Sequence, residues 1–183
     1  MKNKERIELA LKSTERAGIK DLLEWMDQNG FYSAPCSSKY HLSKPGGLAE
    51  HSINVFEAAL DMGTSLYSDQ MTFATLDSIT ICALLHDIGK VGQFGKANYI
   101  QNTDPGDPAP YRTNKDLLFV PHEIRSIAIL SKFIDLTEEE QFAILYHNGL
   151  YGELKGFKGK ETPLYMIIHF ADMWASRITE REA

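Results

Sequence analysis

Only two cysteines, Cys36 and Cys82, occur in the 183 residues. With no CxxC spacing, that excludes a disulfide framework and a cysteine-only zinc site. Positive charge is not in excess: 19 basic residues against 25 acidic ones leave a formal net charge of −6. A broad basic surface gripping long nucleic acid is therefore not expected. A nucleotide substrate is still open, because bound divalent cations change the charge of a local site. No apolar run is long enough to span a bilayer, and the charged stretch Met1–Arg6 has no apolar core behind it as a signal peptide would. A cytoplasmic location without membrane contact is the default expectation. No repeat, low-complexity stretch or linker divides the chain, which predicts one domain over residues 1–183. Gly46-Gly47 is not followed by GKS or GKT, so it is no phosphate-binding P-loop. Its expected role is a tight turn into a helix.

What is present is helical periodicity. The hydrophobic fraction is 43% and the charged fraction 24%, the balance of an ordinary globular chain. Residues 3–29 read as one or two helices. Ile7, Ala10 and Leu11 share one face, and Ile19, Leu22, Leu23 and Met26 share another after a break at Gly18. Residues 31–45 are loop-like. A long helix is expected from Leu48 to about Tyr67, then one from about Thr72 to His86. The second is almost wholly apolar at its end and should be central. Residues 91–120, broken by Pro105, Gly106, Pro108 and Pro110, predict a long loop or a short β-hairpin near 97–120. Pro121 can start the next helix. Thr137 and Glu140 form the pattern of a capping box. A flexible Lys- and Gly-rich loop is expected over 150–160, and a last helix from near Thr162-Pro163 to about Thr179. The fold class is mainly α, a helical bundle.

Against this background the histidines stand out. His51 lies inside the first long helix, and His86-Asp87 ends the apolar one. His122 opens a helix, His147 closes one, and His169 and Asp172 lie inside the last. One histidine on an apolar face is ordinarily a satisfied core residue. Asp172, within Ile167-Ile168-His169-Phe170-Ala171-Asp172, is harder to explain, because a buried charge needs a partner or a metal. Several such anomalies on separate helices favour one shared explanation. Imidazoles and carboxylates together are the ligands of divalent transition metals.

The local sequences add to this. Gly46-Gly47-Leu48-Ala49-Glu50-His51-Ser52, Leu84-Leu85-His86-Asp87-Ile88-Gly89-Lys90 and the distal Ala171-Asp172 resemble the HD-domain metal-dependent phosphohydrolase superfamily. The resemblance spans about residues 40–178, the implied core, with helices 3–29 packed on it. It implies that His51, His86, Asp87 and Asp172 bind one metal. Pro121-His122-Glu123 and Tyr146-His147-Asn148-Gly149 sit where members with two metals have further histidines. His122 and His147 are therefore added to the set, with Asp87 bridging. The implied cofactors are two divalent ions drawn from Mn, Fe, Ni, Co, Zn or Mg. Neutral histidines are needed to ligate, so activity should fall at acid pH.

The implied reaction is hydrolysis of a phosphate ester or phosphodiester by metal-activated water. The partner would be a phosphorylated small molecule, a nucleotide or a short oligonucleotide. Asp87 and Lys90 are the candidate catalytic residues, Lys90 offsetting charge in the transition state. His41, Lys90, Arg112 and Arg125 are candidate substrate contacts, with Lys115 a weaker one. His169 is a candidate orienting residue one turn before Asp172. Glu50 reads better as a solvated residue, and Trp25 and Trp174 better as packing than as base-stacking platforms. Two other readings use the same ligands. One is a diiron oxygenase similar to myo-inositol oxygenase, and the other is a non-catalytic sensor. The absence of a GYP signature speaks against a cyclic-di-GMP enzyme. Substrate specificity is expected in the 91–120 segment and the 150–160 loop.

Overall fold

A computed structural model describes residues 1–149 and 159–181. Its helices are α1 (Asn3–Ser13), α2 (Ile19–Gln28), α3 (Gly47–Tyr67), α4 (Phe73–Leu85), α5 (His122–Leu130), α6 (Glu138–Tyr146) and α7 (Pro163–Trp174). The expected mainly α bundle is what the chain forms. The 91–120 segment holds two small antiparallel hairpins rather than one, β1–β2 (Gly92–Gln93 with Lys96–Ala97) and β3–β4 (Tyr99–Gln101 with Tyr111–Thr113). Most of the 150–160 loop lies outside the described residues.

Each helix follows from its apolar spacing. Ile7 and Leu11 of α1 are buried, as are Ile19, Leu22, Leu23 and Met26 of α2, and α1 packs on α3 and α4. In α4, every residue from Ile79 to Leu85 is buried. A helix apolar on all sides must be enclosed, and α4 lies against α3, α6 and α7. Each fully buried leucine contributes about 1.5–3 kcal/mol, so Leu84 and Leu85 hold the C-terminal end of α4 in the interior. Thr162 caps α7 by accepting from the Tyr165 amide, with Pro163 at the first helical position. Beyond Trp174 the helix widens into a π turn, Ala175–Thr179, and the Glu180 amide donates to Ala175 O at 2.9 Å. Among the described residues no helix is long and apolar enough to cross a membrane.

The capping box of α6 forms as the sequence predicts, and it does more than cap. Glu140 accepts from the Thr137 amide at 2.9 Å, from Ser78 Oγ at 2.8 Å, and from Arg16 at 2.8 and 3.1 Å. One fully buried carboxylate thus joins the α1–α2 connection, α4 and α6. Burial pushes the Glu140 carboxyl up, but the Arg16, Thr137 and Ser78 hydrogen bonds outweigh it and hold the group below its ordinary value of 4.5. A depressed carboxylate stabilises the fold above its unfolded-state pKa and loses that contribution as pH falls through the folded-state value. E140Q should therefore cost about 3 kcal/mol at pH 7, the low end for breaking a buried pair, because Arg16 is partly exposed. Urea midpoints measured across pH should show the gap from the parent closing below about pH 4.

Candidate metal centre

Six side chains from five helical segments converge at the inner end of α4. His51 is in the second turn of α3. His86 is the residue that ends α4, and Asp87 leads into a 3-10 turn at Ile88–Val91. His122 is the first residue of α5, His147 caps the C-terminus of α6, and Asp172 lies within α7. His51, His86, Asp87 and His147 are 0–1% exposed. Close packing of the 3-10 turn on α5 brings Asp87 to His122: a Cβ on Gly89 would stand 2.2 Å from His122 O and 2.8 Å from the Ser126 amide.

Asp87 is the hub, and its two oxygens face different histidines. Its Oδ2 lies 3.4 Å from His51 Nε2 and 3.4 Å from His86 Nε2. Its Oδ1 lies 3.1 Å from His122 Nε2 and 3.5 Å from His147 Nε2. Asp172 Oδ1 is 3.2 Å from His51 Nε2. These are ion-pair distances, yet His51 Nε2, His86 Nε2 and Asp87 Oδ1 are buried without a hydrogen-bond partner. Distance and direction disagree, and direction is the more telling. Buried polar atoms left at such separations without a hydrogen bond can be satisfied by a cation between them. Two donors bound to one cation at about 2.0–2.1 Å stand about 3.0–3.4 Å apart, close to the separations found here. The residues present therefore fit a bound metal. Three clusters from this set each place ligand atoms within 4.8 Å of one another: His51/His86/Asp87, His86/His147/Asp172 and Asp87/His122/His147.

The Nδ1 atoms explain why every Nε2 points inward. His86 Nδ1–H donates to Ala83 O at 3.0 Å, and His147 Nδ1–H donates to Ile144 O at 2.8 Å. A carbonyl can only accept, so each contact places a proton on Nδ1 and turns Nε2 toward Asp87. His169 Nδ1–H donates to His147 O at 2.7 Å, which secures the end of α6 from α7. The orienting role expected of His169 is toward a ligand side chain, whereas this contact is to the backbone of His147. Gly149 makes it possible, since a Cβ there would stand 2.3 Å from the His169 ring.

Lys90 is no surface lysine. Its Nζ is 2.6 Å from Asp87 Oδ2 and its side chain only 14% exposed. Burial would push the Asp87 carboxyl up, but the charges of Lys90 and His86 and the contacts from His122 and His147 hold it well below the usual range. Burial, helped by the charge of His147, lowers His86 against the pull of Asp87, while Asp172 is held below its ordinary value by His51 against its own burial. Tyr40, His41, Lys90, Asn148, Asp172 and Arg177 line a cavity of about 560 Å³ that opens on this cluster.

Other expected contacts fall elsewhere. Arg112 and Lys115 are exposed beyond that cavity. Arg125 is 3% exposed, and its guanidinium donates to Leu118 O at 3.0 Å and Gln93 Oε1 at 3.4 Å. It braces the 91–120 segment instead of facing the cavity. Glu50 pairs with Lys44 at 3.0 Å on the surface. Trp25 packs on Phe133 as expected, but Trp174 is 53% exposed beside Phe170 and Ile178 and packs less than its apolar context suggested.

Glu180 is the residue sequence reasoning missed. Its buried carboxylate accepts from His51 Nδ1 at 2.9 Å, His41 Nδ1 at 2.5 Å and Asn54 Nδ2 at 2.9 Å. The residue lies just past Thr179, where the last helix is expected to end, and no local signal marks it. Cys36 was likewise unmarked, though its Sγ is 3.8 Å from Lys90 Nζ.

G89A should drive the 3-10 turn away from α5. We expect a loss of about 1–3 kcal/mol, the range for overpacking, read as a lower urea midpoint, together with weaker Zn2+ or Mn2+ binding by calorimetry. Unchanged metal binding would show that the close approach is not what sets the Asp87–His122 distance.

No curated protein and no solved structure matches the chain. The family model described as HD domain matches residues 48–173, from the first residues of α3 to the residue after Asp172. With that span covering well over half of its length, the chain belongs to the HD domain family.

Proposed function

We propose that this protein is a metal-dependent hydrolase of phosphate esters or phosphodiesters that holds two divalent cations. One observation carries the reading: the two oxygens of a single buried carboxylate, Asp87, each face a different pair of imidazole nitrogens. His51, His86 and Asp172 would hold one cation with Oδ2, and His122 and His147 the other with Oδ1. When bound, such a pair supplies Lewis acidity toward water and toward phosphate oxygens.

The chain's own groups do the rest. Lys90 places an ammonium at the cavity wall, where it offsets negative charge on a phosphoryl group. His41 lines the same cavity and is the second group we assign to contact with a phosphate. The apolar walls of α4 and α7 keep bulk water from the buried ligands, which strengthens each of these charges. A cavity of about 560 Å³ is in the size range of small-ligand pockets, and the net charge of −6 favours a nucleotide or short oligonucleotide over long nucleic acid. We place the protein in the cytoplasm.

Metal analysis of protein purified without added metal tests this directly. Two manganese, nickel, cobalt or zinc ions per chain, with hydrolysis of bis-p-nitrophenyl phosphate, is the expected result. Two irons with an oxygen-dependent product and no phosphatase activity would sink it. D87A should lose both metals and fall to background activity while its circular dichroism stays helical. K90A should keep the metals and lose about 10²-fold in kcat, the cost of removing one donor from a developing negative charge.

A further inference from the structure

The imidazoles around Asp87 meet their Nδ1 requirement in two ways, and the difference follows from where each sits on its helix. The last carbonyls of a helix have no amide partner. His86 and His147 stand at helix C-termini, so each finds a free carbonyl one turn back, Ala83 O and Ile144 O. His51 stands near the N-terminus of α3. The carbonyls there are engaged by amides further along, and the free groups are N–H donors, which cannot accept from Nδ1. His51 must take its acceptor from another part of the chain.

That acceptor is Glu180, 129 residues away. The π turn Ala175–Thr179 inserts an extra residue per turn at the end of α7, and its closing bond from the Glu180 amide to Ala175 O sets where the side chain emerges. The Glu180 carboxylate is 1% exposed and meets three donors: His51 Nδ1, His41 Nδ1 and Asn54 Nδ2. The His41 and His51 rings it binds lie edge to face, their centroids 4.9 Å apart.

We propose that Glu180 is a positioning residue: it fixes the tautomer and ring orientation of His51 so that Nε2 faces Asp87 and Asp172, and with its other oxygen it holds His41 at the cavity wall. The inference rests on the metal reading above. One carboxylate thereby ties a metal-side imidazole to a substrate-side one, through a segment at the far end of the chain. Without it, His51 Nδ1 is a buried donor with no acceptor, and the ring is free to turn its other nitrogen inward.

Co2+ binding separates this role from a merely structural one. Metal-free parent, E180A, E180Q and H41A are titrated with Co2+ by chelator competition, with the visible d–d spectrum and the urea midpoint of each metal-free protein recorded alongside. E180A should lose about 10–100-fold in Co2+ affinity, the usual effect of removing a carboxylate that orients a ligating histidine, and its spectrum should shift. E180Q keeps one acceptor oxygen and should fall between the two; being isosteric, it carries the test if E180A does not fold. H41A leaves the His51 arm intact and should keep the parent's affinity. Parent-like affinity and spectra in both Glu180 variants would overturn the inference while leaving the metal reading standing. A parent that takes up no Co2+ would overturn both.

Discussion

Taking the Asp87 carboxylate out of water costs several kcal/mol even after relaxation, and the rest of the structure is arranged so that this cost is met. The continuous buried run Ile79–Leu85 fixes the end of α4 in the interior, so the following dipeptide has no route to solvent. Asp87 is then compensated by Lys90 at 2.6 Å and by four imidazoles, those of its neighbour His86 and of His51, His122 and His147 on three other segments. Without these partners the carboxyl would have to protonate or the turn would have to open.

Helix polarity decides how the surrounding imidazoles are held. At C-termini the backbone itself supplies the acceptor, so His86 and His147 are oriented locally. Near an N-terminus it cannot, and for His51 the carboxylate of Glu180 takes over, while Glu123 Oε2 lies at ion-pair distance, 3.4 Å, from His122 Nδ1. Glu123 is in turn held by a hydrogen bond from Asn148, beside His147. The two histidines facing Asp87 Oδ1 are thus linked through their neighbours, as His51 and His41 are linked through Glu180. An arrangement with this many cross-connections resists small displacements, which is what a site for charge-dense ions requires.

Arg125 and Trp174 show the limits of reading residue type without tertiary context. An arginine near a glycine- and proline-rich segment could equally contact phosphate or brace a loop. The bracing wins because Leu118 O and Gln93 fold back over it. A tryptophan in an apolar helix is expected inside. Trp174 faces outward because α7 uses Leu164, Ile167, Ile168 and Ala171 for the core, leaving the other side of the helix uncovered.

By itself the sequence determined the helices, the central place of α4, the capping box of α6, and the order of the histidines and aspartates, because each is written in spacing along a few turns of chain. Tertiary structure alone decided which nitrogen of each imidazole faces Asp87, that its two oxygens serve different histidines, and that Glu180 belongs to the site. Those features are contacts between segments up to 129 residues apart. Local periodicity records which face of a helix is buried, but a polar residue near a chain end looks the same whether solvent or a distant histidine satisfies it.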